Sequence, residues 1–125
     1  VWEMALSAAH RKVDHLIAFV DYNKQQLDGY TKDINDLGDI RGKFEAFGWH
    51  AQDIDGHDLS QIYEAINRAK DEKERPSIIV LNTVKGKGCT FAEGILGNHH
   101  MTVSRDEMKE ALEVLERELE KVDKP

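Results

Sequence analysis

Three short apolar runs punctuate an otherwise polar chain. Leu16 to Val20, Leu-Ile-Ala-Phe-Val, puts five apolar residues in succession. That is too few for a free-standing helix and suits a strand buried on both faces. The run stops at Asp21-Tyr22-Asn23, and a polar loop follows that turns at Asp28-Gly29. Trp49 to Ile54 alternates imperfectly and predicts a second strand, ending at Asp55-Gly56-His57-Asp58. Ser77 to Asn82, Ser-Ile-Ile-Val-Leu-Asn, predicts a third, again with a continuous apolar run.

Around these runs the apolar period lengthens to that of a helix. Val1 to Lys12 is rich in Ala and sets Trp2, Ala5, Leu6 and Ala9 on one face, small enough in places for close approach to a sheet or another protein chain. Asp36 to Phe47 spaces Ile40, Phe44 and Phe47 helically, with Gly48 as the stop. Asp58 and Gln61 make a variant capping box for a third helix, whose expected core stripe is Leu59, Ile62, Ile66 and Ala69. The charged run Asp71 to Arg75 reads as its solvated end, and Pro76 breaks it. Ser104 and Glu107 form a second capping box, opening a last helix with Met108, Leu112, Leu115, Leu119 and Val122 as its apolar stripe. Strands alternating with helices of this length predict βαβ units with right-handed crossovers. The expected fold is α/β, a three-layer αβα arrangement around a mostly parallel sheet.

Composition narrows the class. The 125 residues suit one domain with a proper core, and 40% hydrophobic with 33% charged residues is a globular balance. No apolar run approaches the roughly 20 residues of a membrane span, so no membrane partner is expected. A single cysteine, Cys89, excludes an intrachain disulfide framework and fits a reducing cytoplasm. A net charge of −7 argues against nucleic acid as a partner. Val1 to Leu6 is helical in pattern with no capping residue before it and no initiator Met, which leads to the expectation of a chain entered in mid-domain.

Candidate chemistry lies at strand ends and in the irregular stretch from Thr83 to Val103, since loops this long are usually functional or disordered. In an open parallel α/β sheet ligands sit at the carboxyl ends of the strands. Asn23 would stand there with an amide oxygen suited to a hard cation, or would merely shape a turn. Lys85-Gly86-Lys87-Gly88 follows a buried strand but lacks the P-loop spacing, and taken alone it reads better as a flexible basic turn. His99-His100 could ligate a metal, although adjacent loop histidines seldom both face one ion, and no partner lies at zinc-finger spacing. His10, His15 and His50 read as helix-surface or strand-edge residues. Cys89 has neither a neighbouring base nor a Cys-x-x-Cys partner and reads as a packing residue.

Taken together, the motifs resemble the thiamine-diphosphate-binding domain of transketolases, particularly the short N-terminal subunit of split bacterial enzymes. Val1-Trp2-Glu3-Met4-Ala5 is similar to the helix opening after that family's Gly-Asp-Gly, and Val20-Asp21-Tyr22-Asn23 with Leu27-Asp28-Gly29 to the second half of its metal-diphosphate motif. Phe44 to His50, Asp55-Gly56-His57-Asp58, Thr83 to Gly88 and the loop histidine match in order. The similarity extends over residues 1–125, read as part of one such domain. It implies a magnesium or calcium ion joining the cofactor diphosphate to the Asn23 side chain and the Gln25 backbone carbonyl. Lys85 would lie near thiamine diphosphate, and His99, with His100 as its competitor, would be the catalytic histidine near cofactor and substrate. Several relatives have Gly where this chain has Lys24.

The resemblance also implies pieces that would lie elsewhere: the Gly-Asp-Gly element with its metal-binding Asp, and the glutamate that activates the aminopyrimidine, which belongs to a different domain. The expected parent activity is transfer of a two-carbon ketol unit between sugar phosphates, with these 125 residues inactive alone. Expected partners are sugar phosphates, a C-terminal transketolase subunit or domain, and further copies in a homo-oligomer. The alternatives are a 1-deoxyxylulose-5-phosphate synthase domain and a non-catalytic α/β interaction module.

Overall fold

The computed structural model describes residues 1–122, so residues 123–125 of the expected domain lie outside the described residues. Two compact units form: Val1–Asn23 with Asn35–Thr83, and Lys24–Ile34 with the segment from Val84 onward.

The first unit is a parallel sheet of β1 (Ile17–Tyr22), β4 (His50–Asp55) and β5 (Ser77–Asn82) in the order β1-β5-β4. Ile17 and His50 both pair with Ser77, and Tyr22 and Asp55 both pair with Asn82, so all three carboxyl ends lie level. α1 (Trp2–His10) and α3 (Ile40–Ala46) pack on one face, where Ala5, Ala8, Ile40, Phe44, Trp49, Ala51, Ile78 and Val80 form a core. α4 (Leu59–Asp71) covers the other, its Ala65 and Ala69 packing with Ile54 and Ile79. Alternate residues of β5 thus feed two cores, and the expected three-layer αβα arrangement is present.

Caps form where the residue types demand them. Asp39 accepts from Gly42 N (2.8 Å) to start α3. Asp58 accepts from Ser60 N (2.9 Å) and Gln61 N (3.1 Å), while Gln61 Nε2 returns to Asp58 Oδ2 (2.9 Å). These bonds stabilise the ionised Asp58 and hold its carboxyl below the usual range, chiefly through the Gln61 amide.

Several apolar expectations need correction. Phe19 is 49% exposed, because β1 pairs on one side only; β5, paired on both, is the strand buried on both faces. Leu6 is 59% exposed, since α1 approaches the sheet along Ala5 and Ala8, and Leu6 lies about 100° round from Ala5. Leu59 is 81% exposed: the buried line of α4 runs through Ala65 and Ala69, about 80–120° away.

The second unit contains a hairpin that the periodicity did not predict, β2 (Gln25–Gln26) and β3 (Gly29–Tyr30), followed by the short α2 (Thr31–Ile34). Gln25 pairs with Tyr30 and Gln26 with Gly29 in antiparallel register. Thr31 N (2.9 Å) and Thr31 Oγ1 (3.3 Å) both donate to Lys24 O and close the hairpin. Residues 83–103 form turns without helix or strand, as expected. α5 (Arg105–Val122) then opens on the predicted capping box, with Ser104 N donating to Glu107 Oε2 (2.8 Å) and Glu107 N to Ser104 Oγ (3.2 Å). Its buried residue is Ala111, whereas Met108, Leu112, Leu115, Leu119 and Val122 remain substantially exposed.

Candidate functional site

Each unit presents part of the candidate chemistry. In the first, the level carboxyl ends of the strands form a polar edge that sequence reading passed over apart from Asn23. Thr83 Oγ1 donates to Asp21 Oδ1, and Asn82 Nδ2 donates to Asp53 Oδ1 and to Ile54 O (3.2 Å). Gly56 N donates to Asn82 O (2.9 Å) and Thr83 N to Tyr22 O (3.3 Å), which extends the ladder past the last strand residues. Asn23 follows β1 directly at this edge. The side-chain types at the strand ends, Asp-Tyr-Asn, Asp-Ile-Asp and Leu-Asn-Thr, were the available signal.

His50 lies at the opposite end of the sheet, on the first residue of β4, with Nδ1 3.3 Å from Ser77 Oγ and 3.7 Å from Glu72 Oε2. Arg75 donates to the same Glu72 carboxylate at 2.9 Å and, as the largest influence, holds it below its usual range. This is a structural cluster at the strand starts, consistent with the strand-edge reading of His50.

In the second unit, Lys24 has φ = 66°, a left-handed conformation that L side chains adopt at some cost. The resemblance places Gly, which adopts this conformation freely, at this position in several relatives. Gln25 begins β2, and its side-chain Nε2 donates to Gly94 O at 3.2 Å. Gly94 N in turn donates to Lys85 O at 2.9 Å. Gln25 and Lys85, 60 positions apart in sequence, therefore both bond Gly94.

The loop after Lys85 is tightly wound. Cys89 N donates to Gly86 O (2.9 Å), and both Ala92 N (2.9 Å) and Glu93 N (2.8 Å) donate to Cys89 O. Glu93 accepts from Lys87 Nζ (2.8 Å) and Gly88 N (3.1 Å). Of the two lysines, Lys87 thus has a carboxylate partner within the turn. Asn98 Nδ2 donates to Ala92 O (2.7 Å), while Asn98 Oδ1 is buried without a hydrogen-bond partner. His99 and His100 follow at once, both exposed, with ring centroids 4.7 Å apart and nearly perpendicular. Cys89 is a partly buried free thiol within this turn, in keeping with a packing role.

Among the described residues no group of three or more His, Cys, Asp or Glu side chains is placed to hold a metal ion. A hard cation would need oxygens from amides, carbonyls and a bound ligand; within the first unit Asn23 can offer an amide oxygen and within the second Gln25 a backbone carbonyl. A hollow of ≈ 290 Å³ in the first unit is lined by Trp2, Val20, Ile40, Phe44 and neighbours. It is apolar and contains none of the candidate site residues.

Comparison with known proteins identifies the family. The family described as transketolase, thiamine diphosphate binding domain, matches residues 2–121. The 6-deoxy-6-sulfo-D-fructose transketolase subunit of Clostridium sp. (strain MSTE9) is 50% identical over 118 residues, covering 94% of this chain and 43% of that protein. An apulose-4-phosphate transketolase subunit from Actinobacillus succinogenes is 38% identical over 117 residues, covering 94% and 42%. Among solved structures, transketolase from Campylobacter jejuni superposes with a TM-score of 0.83 at 28% identity, covering 90% of this chain and 17% of that one. Transketolase from Pichia stipitis in complex with sedoheptulose 7-phosphate gives 0.78 at 31% identity, covering 86% and 16%. The chain spans less than half the length of the curated relatives it matches. On the family match and these relatives, the chain belongs to the transketolase thiamine diphosphate-binding domain family.

Proposed function

We propose that this chain forms part of a transketolase that moves a two-carbon ketol unit from a ketose to an aldose, both bearing an anionic group such as phosphate. What supports the reading is that the family match runs from residue 2 to 121, so Asn23, Gln25, Lys85 and His99 all fall within it. Thiamine diphosphate, when bound, supplies the electron sink that lets a carbon–carbon bond of the ketose break and re-form. Asn23 contributes an amide oxygen to a magnesium or calcium ion, and Gln25 contributes its backbone carbonyl. Lys85 supplies positive charge near the cofactor. His99, with His100 as the competing neighbour, faces cofactor and substrate and takes or gives a proton through a ring nitrogen.

The matched share of the relatives supports a further segment or C-terminal subunit completing the enzyme, so the 125 residues alone turn over no ketose phosphate. Exposed Trp2, Met4 and Leu6 on α1 are surfaces for pairing with further copies or subunits, and the single cysteine, Cys89, fits a cytoplasmic setting. Among the described residues no helix is long and apolar enough to cross a membrane. Because one relative is named for a sulfo-sugar, the assay should offer both phosphorylated and sulfonated ketoses. Calorimetric titration of the complete protein with thiamine diphosphate, with and without magnesium, tests the reading. Metal-dependent binding followed by ketol transfer is expected; absence of binding would overturn it.

A further inference from the structure

Gln25 does two things at once in the second unit. Its backbone lies in the hairpin to which the resemblance assigns a metal-binding carbonyl, while its side chain reaches out of that hairpin to a different loop. Nε2 donates to Gly94 O, and Gly94 N donates to Lys85 O. The segments 24–34 and 84 onward, separated by the whole of β4, α4 and β5, nonetheless group as one compact unit. Downstream, the turn is fastened a second time: Asn98 Nδ2 bonds Ala92 O, two residues before Gly94 and immediately before His99. The turn also admits little slack, since a Cβ at Gly86 would lie 2.7 Å from Ala92 O. Movement of Gly94 would therefore be felt at Lys85 on one side and, through Ala92 and Asn98, at His99 on the other.

We infer that the Gln25 side chain is a positioning residue that couples the hairpin beside the metal to the loop carrying Lys85 and His99. The inference rests on the functional reading above. A neutral hydrogen bond to a main-chain carbonyl suits this role, because it fixes direction without placing charge beside an anionic cofactor. The main-chain carbonyl of residue 25 survives any substitution of its side chain. The coupling can therefore be removed while the metal donor stays.

The test uses Gln25→Ala and Gln25→Glu in the complete protein, with any partner subunit present. Glu is nearly isosteric but aims a second acceptor at Gly94 O. Amide hydrogen exchange of residues 85–98, measured with and without thiamine diphosphate and magnesium, is read beside calorimetric cofactor affinity and steady-state kinetics. Both variants should raise exchange in 85–98 about three- to tenfold, the range one neutral hydrogen bond supports, and lower kcat by a similar factor. Cofactor affinity should stay within about twofold. Unchanged exchange in a folded variant would overturn the coupling. A loss of cofactor affinity equal to the loss of kcat would also overturn it, placing the side chain's role in the hairpin alone. If the unaltered protein bound no cofactor, the functional reading would fail, yet the exchange of the ligand-free variants would still decide whether Gln25 holds the loop. Should Gln25→Ala fail to fold, Gln25→Glu carries the same decision.

Discussion

Gly86 offers the sharpest test of how the loop before the histidines is built. It has φ = 76°, and a Cβ there would stand 2.7 Å from Ala92 O and 2.8 Å from Ala92 C. Gly97, in the same loop, has φ = 84° but nothing within 4 Å of its hypothetical Cβ. Ala at either position incurs the left-handed backbone cost of about 1 kcal/mol. Only at Gly86 does a clash add to it, and the clashing atoms are backbone, which cannot swing aside. Overpacking of this kind costs roughly 1–3 kcal/mol. Ala92 cannot retreat freely either, because its carbonyl also accepts from Asn98 Nδ2. Gly86→Ala should therefore open the loop by about 2–4 kcal/mol, roughly a thirty- to 900-fold rise in local exchange. Gly97→Ala should cost about 1 kcal/mol, near fivefold. The reporting amides are Cys89 N, bonded to Gly86 O, and Gly94 N, bonded to Lys85 O. Exchange measured by mass spectrometry on the complete protein gives both, with the β5 amides as an internal standard that should not move. Equal effects of the two substitutions would refute the argument from the clash.

Three further outcomes are expected. Trp49 is 1% exposed, donates from Nε1 to Ala5 O at 2.9 Å and meets Phe44 edge-on at 5.3 Å; Trp49→Phe should cost about 2–3 kcal/mol, seen as a lower urea midpoint at constant slope, and a loss below about 1 kcal/mol would deny the bond its role. The Asp58 carboxyl is depressed below its ordinary value of 3.8, so its contribution to stability is complete above that value and is lost as pH falls through the lower folded value. Melting temperatures of Asp58→Asn should consequently fall less steeply than those of the unaltered protein below about pH 4, and parallel curves would sink the idea. Asn23→Ala should weaken thiamine diphosphate binding at fixed magnesium by roughly ten- to hundredfold, about 1–3 kcal/mol, with the cofactor-free melting temperature nearly unchanged. A lowered melting temperature with intact affinity would make Asn23 a turn residue.

Legibility in the sequence tracked the length of the periodic signal. β5 and α4 were readable because each repeats its pattern over several residues, and both capping boxes formed as spelled by Asp58-Gln61 and Ser104-Glu107. β2 and β3 escaped because two-residue strands have no period to detect; only the turn at Asp28-Gly29 marked them. Leu59 is expected in the core because hydropathy favours Leu over Ala. Close helix–sheet packing instead selected Ala5, Ala8, Ala65 and Ala69, all buried. At the site, the candidates Asn23, Lys85 and His99 came from motif order. Motif order also marked the main chain of Gln25, but not the side-chain amides of Gln25 and Asn98, since each acts through a bond to a main-chain carbonyl of the loop that no spacing rule anticipates.

The two units are held by different forces, and this bears on where function can be altered. In the first, Trp49, Ile79 and Val80 are almost wholly buried, so its strand ends are set by apolar burial that few surface changes would disturb. In the loop of the second, the buried apolar side chain is the small Ala92, and order comes from a chain of single hydrogen bonds through Gly86, Cys89, Gly94, Gln25 and Asn98. Each such bond contributes only about 1 kcal/mol, and removing one releases a few residues rather than the sheet. Substitutions at Trp49 should therefore change whether the protein folds. Those at Gly86, Gln25 and Asn98 should change how often Lys85 and His99 are presented together while global stability holds.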